Sequence, residues 1–240
     1  MYINPYDSTV GVIILLAALA LTQATFQLGV SVLTLLSGHS LGKKRSLRRL
    51  FALNTAYILG SFVMTLLLFG ALLYVMLTIM YDIEPYAWML FVALSCFIAL
   101  MIITRYYRRG RGTVLWLPRA AAVYLSDRAK RTKNTFEAFM LGGAATLAEL
   151  PFTLVPMSGA AYIMMLYILP SSHLVIASLY SFVVISPLIL ITTYIAGGHR
   201  LSTIQRWRED NKSFLQYAAA MLLLAIALYI TIYYIAGDVS

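Results

Sequence analysis

Cysteine is nearly missing from this chain. Cys96 stands alone, which excludes an internal disulfide and any Cys-x-x-Cys metal or redox pair. Charge is scarce as well, at 11% of residues against 61% hydrophobic. A soluble domain of 240 residues has no use for that much apolar surface, so the composition is that of an integral membrane protein. The long apolar stretches hold no lysine, which removes a retinal-type Schiff base. Histidine is limited to His39, His173 and His199, all near span ends, which argues against a haem or a multi-histidine metal centre. Intramembrane hydrolysis would need a Ser-His or paired-Asp constellation, and mid-span offers neither. No enzyme, no cofactor and no metal are therefore expected.

What is present is length of apolar chain. A bilayer requires about 20 apolar residues per spanning helix. Six spans are predicted, near 9–37, 52–80, 86–105, 135–165, 172–197 and 212–236. The fold class expected is thus an all-α integral membrane protein. Charge placement gives its orientation. All 18 Lys and Arg fall in three segments, five in 43–49, nine in 105–133 and four in 200–212, which are alternate connections of a six-span chain. The opposite side carries Asp7, Asp82, Glu84 and Asp238 and no basic residue. By the positive-inside rule the basic loops are cytoplasmic and both termini face out. The location expected is the inner membrane of a prokaryote. No cleavable leader is expected, since the amino terminus lacks a basic region and its apolar run is too long. The net charge of +9 reads as orientation signals and as contacts to anionic lipid headgroups. No nucleic-acid module accompanies it.

One stretch departs from apolar monotony. Residues 142–159 contain Gly142, Gly143, Glu149, Pro151, Thr153, Pro156 and Ser158 inside the fourth span. A charged side chain at mid-bilayer costs about 2.5–3.5 kcal/mol on insertion scales. Glu149 lies roughly 20 Å from the start of its helix, close to the midplane. Pro151 and Pro156 each free a carbonyl four residues back, those of Leu147 and Phe152. With Gly142 and Gly143 they are expected to break the helix around the acid. Glu137, by contrast, sits in the first turn behind the caps Asn134 and Thr135 and needs no functional account. The first span carries Gln23 and Gln27 on one helical face. These glutamines either hydrogen-bond neighbouring helices, at about 0.6 kcal/mol a contact, or line a polar path facing Glu149. The candidate solute- or ion-binding set is Glu149, Gln23, Gln27, Thr153 and Ser158.

An internal repeat relates the halves. A shift of 126 lays Gln23-Ala-Thr-Phe26-Gln27-Leu28 over Glu149-Leu-Pro-Phe152-Thr153-Leu154. A shift of 120 lays Ser61-Phe62-Val63 over Ser181-Phe182-Val183. Three spans per half invert the second half relative to the first, the 3+3 inverted repeat of many secondary transporters, whose sites lie at broken helices near the midplane. The division expected is a first repeat at 1–107, a cytoplasmic amphipathic linker at 108–134 and a second repeat at 135–240. The linker, with its helix after Pro118, is expected to lie on the lipid surface.

The run Leu147-Ala-Glu149-Leu-Pro151-Phe152-Thr153, with Ser158-Gly159 and Tyr162 beyond it, resembles the fourth helix of CcdA/DsbD-type membrane electron transporters. Those proteins group with LysE-type exporters as small 3+3 inverted-repeat membrane proteins. The electron transporters carry one cysteine in each pseudo-equivalent helix, where this chain has Phe26 and Phe152. The resemblance therefore implies the scaffold and alternating access, not dithiol chemistry. A divalent cation would want more than one carboxylate at depth, so a proton, a monovalent cation or the amino group of a small solute suits the set better. The expected function is a secondary transporter or exporter in which Glu149 alternates between protonated and ion-paired forms. The alternative is a non-transporting assembly or interaction protein on the same scaffold, and a third reading is a thiol relay through Cys96. A homo-oligomer or a membrane partner is left open.

Overall fold

The structure is a computed structural model that describes residues 9–26, 28–41, 47–79, 84–106, 119–197 and 201–236. The described residues are almost entirely helical: α1 (Thr9–Ala24), α2 (Leu28–Leu41), α3 (Leu47–Ile79), α4 (Glu84–Met101), α5 (Arg119–Arg131), α6 (Thr135–Tyr167), α7 (His173–Ala196), α8 (Leu201–Asp210) and α9 (Lys212–Ile230). Wider π-type turns extend α4 over Ile102–Tyr106 and α9 over Thr231–Ala236. Five helices are long and apolar enough to cross a membrane, and α1 with α2 makes a sixth span if that bent pair is counted as one. The chain is a multi-pass membrane protein. Its outward faces carry Leu67, Phe97, Leu190 and Met221, each more than half exposed, as a surface in contact with lipid should.

The first span is not the single rod expected over 9–37. It bends by 47° between α1 and α2. Hydroxyls compete with the helix at this point. The Thr22 side chain donates to the Ala18 carbonyl at 2.8 Å and the Thr25 side chain to the Thr22 carbonyl at 2.6 Å. The Thr25 amide is shared between the Leu21 and Thr22 carbonyls, and the Phe26 amide reaches only three residues back, to Gln23. The last turn tightens and the helix stops. Tyr57 then fixes where the chain resumes, donating its hydroxyl to the Gly29 carbonyl at 2.9 Å.

The fourth span corrects the expectation of a helix broken at Gly142, Gly143, Pro151 and Pro156. α6 runs for 33 residues through all four. The glycines are contact surfaces. A Cβ on Gly142 would collide with the Tyr57 carbonyl, and one on Gly60 with the Phe139 carbonyl, so α3 and α6 cross backbone to backbone. The Ser61 hydroxyl closes the crossing by donating to the Gly142 carbonyl at 3.2 Å. Small residues at such crossings are how membrane helices approach closely. Held this firmly, α6 keeps its course despite the two backbone donors that proline removes.

Around the α3–α6 pair, α7 packs on α3, α1 and α2, while α4 lies on α9 and α6, and α9 also touches α1. Asn134 caps α6 as expected, its side chain accepting from the Glu137 amide at 2.8 Å. The linker helix α5 buries Leu125 and Ala129 and packs on α2 and α6. The Arg49 guanidinium donates to the Lys133 carbonyl at 2.8 Å and ties the start of α3 to the end of this linker. The short amphipathic helix α8 comes from the basic segment 200–212, where the sequence showed only charge.

Candidate functional site

Where α1 stops, its end faces the middle of α6. A cavity of about 40 Å³ lies there, lined in part by Gln23, Ser61, Thr65, Thr146, Glu149 and Thr153. Gln23 and Thr153 are buried and Glu149 is half-buried. Three of the five residues expected to form the site are thus brought together across two spans. Gln27 lies outside the described residues. Ser158 does not line the cavity. It is nine residues beyond Glu149, which places it about 180° around the helix, and its hydroxyl donates to the Val155 carbonyl at 3.0 Å.

The hydrogen bonds decide what the cavity can hold. The Thr65 hydroxyl donates to the Ser61 carbonyl at 2.8 Å, and the Thr146 hydroxyl to the Gly142 carbonyl at 3.2 Å. Thr153 donates to the Glu149 carbonyl at 3.4 Å, and Ser61 to the Gly142 carbonyl at 3.2 Å. Each hydroxyl has directed its hydrogen to backbone, so what it offers inward is lone pairs. Gln23 is oriented from outside, its side-chain oxygen accepting from the Tyr180 hydroxyl at 2.7 Å. Tyr180 is itself held against Phe69, with ring centroids 4.8 Å apart. The hydroxyls and the Glu149 carboxyl supply acceptors, while Gln23, its oxygen already taken, supplies its N–H₂ group. Such a set attracts a cation or a protonated group. The volume has room for about two or three waters, which fits a proton carrier or a small monovalent ion better than an amino acid.

Two further features bound the site. Phe26 and Phe152, which a shift of 126 lays over one another, pack against each other with centroids 6.1 Å apart. On the far side of Ala24, Val30 and Pro187 a second, largely apolar pocket of about 620 Å³ extends toward Thr203, Ile204 and Trp207 of α8. Ala24, Val30 and Pro187 border both spaces.

Sequence reasoning missed Thr146, Thr65 and Tyr180. Thr146 was within reach, because it stands three residues before Glu149 and shares its helical face. Thr65 follows Ser61 by four residues in the same way. Nothing in the sequence pairs Tyr180 with Gln23, since that contact crosses 157 positions.

Compared with protein-family models, with curated proteins and with solved structures, the chain gives no match.

Proposed function

We propose that this protein is a secondary transporter that moves a proton and a small monovalent cation through the Glu149 site, with alternating access as two halves rock. The observation that carries the reading is the acceptor-rich cavity that joins Glu149 and Thr153 to Gln23 at the break in the first span. A carboxylate at that depth is costly to place. A site that exchanges a proton for a cation gives it a reason to be there. The adjoining apolar pocket supports a route of approach from the α8 end.

The helix pairing supports an inverted 3+3 repeat. α1 packs on α6, α3 on α7 and α4 on α9, so each span meets its counterpart. The likeness of residues 147–153 to the CcdA and LysE group supports the same scaffold, with phenylalanines where the electron transporters hold cysteines. The charge distribution supports basic loops inside and both termini outside in a prokaryotic inner membrane.

The test is reconstitution in liposomes, with flux of protons, sodium, potassium and a panel of amino acids followed under an imposed pH gradient. The parent is expected to couple proton movement to one of the monovalent cations. Glu149→Gln is expected to abolish coupled flux while leaving thermal unfolding nearly unchanged. If the parent shows no flux and instead co-purifies with a membrane protein, the assembly-protein reading replaces this one.

A further inference from the structure

A third cavity, of about 290 Å³, lies between the first two turns of α3 and the last turns of α7, lined by Arg48, Leu50, Phe51, Asn54, Thr192 and Ala196. Asn54 is 1% exposed and Thr192 5%. Both have a polar atom with no hydrogen-bond partner, Asn54 Nδ2 and Thr192 Oγ1. Burying a donor without a partner is unfavourable, and native structures rarely keep one without a reason. The Asn54 amide is directional. Its oxygen accepts from the Ser37 hydroxyl at 3.1 Å, which leaves the N–H₂ group unmatched. Thr192 departs from the chain's own habit. Thr22, Thr65, Thr146 and Thr231 each donate to the carbonyl four residues back, and Thr192 does not.

We propose that this cavity binds a phosphate oxyanion. Its lining offers a guanidinium, an amide N–H₂ and a hydroxyl, with no carboxylate among them. A phosphate held by Arg48 and Asn54 from α3 and by Thr192 from α7 satisfies both orphaned groups at once. It would also bridge two helices from opposite halves of the chain. The site contains none of the residues around Glu149, so it stands or falls apart from the transport reading.

The phosphate has two sources, the headgroup of a lipid or a soluble phosphate, and one experiment separates them. The full-length protein is purified in a phosphate-free maltoside detergent. Thermal unfolding is then followed with inorganic phosphate, with short-chain phosphatidylglycerol, or with sodium chloride at matched ionic strength. At ligand about a hundredfold above its Kd, the midpoint is expected to rise by about 5 °C or more. A rise with phosphate and with lipid identifies a site for the phosphate group itself. A rise with lipid alone identifies a headgroup site. In the Arg48→Gln, Thr192→Val double variant the rise is expected to vanish. Thr192→Val alone is expected to fold as the parent does, because it removes an unmatched hydroxyl at nearly equal volume. No rise with either ligand beyond the chloride control, or an equal rise in the double variant, would overturn the proposal.

Discussion

The first and fourth spans carry the same pattern of polar residue, phenylalanine, polar residue and leucine, and they fold differently. Glu149–Leu154 has a proline inside it and lies in an unbroken helix. Gln23–Leu28 has no proline and spans a break. Proline removes one donor, and a helix gripped along its length tolerates that. Two threonines turned onto their own backbone carbonyls end a helix that nothing grips equally well. The grip on α6 comes from Gly60, Ser61 and Gly142. Neighbours, more than residue type, decide where a membrane helix is interrupted.

That contrast can be broken from the α6 side first. Gly142→Leu drives a branched side chain into the Tyr57 backbone and is expected to cost about 3 kcal/mol or more, the upper end for overpacking. Unfolding in detergent should show a large loss, and a midpoint near the parent's would mean that the crossing is loose. On the other side of the comparison, Tyr57→Phe removes the hydroxyl that anchors Gly29, at an expected cost of about 1 kcal/mol. Its sharper effect should be on the break. Hydrogen exchange of the Gly29 to Val32 amides is expected to rise, whereas exchange within α6 stays as it was. The smallest effect is expected for Pro151→Ala. It returns one backbone donor to a helix that is already continuous and whose neighbours accommodate the proline, so stability should change little, as measured by the same unfolding assay. A large gain would show that α6 is strained at Pro151.

Much of the architecture was legible because a bilayer imposes a length on every span. Except at the first span, each expected range matches a helix within a few residues beyond the cap and loop margins, as 135–165 does α6. Glu149 was legible because an acid in an apolar run has few explanations, and Thr153 because four residues return a helix to the same face. Ser158 was misplaced since nine residues lead to the opposite face. The glycines were misread as breaks because the close approach of α3 brings Tyr57 and Gly60 against them, and both are remote in sequence. The bend at Thr25 was hidden for a similar reason, as threonine in a helix commonly bonds its own backbone without stopping it.

In the proposed transport cycle the carboxyl of Glu149 exchanges a proton for a cation. Difference infrared spectroscopy of the reconstituted protein reads this directly. A protonated-carboxyl band that is absent in Glu149→Gln should be present without the cation and disappear when the transported cation is added. A band that ignores the cation at every pH, or one that survives in Glu149→Gln, would contradict the account.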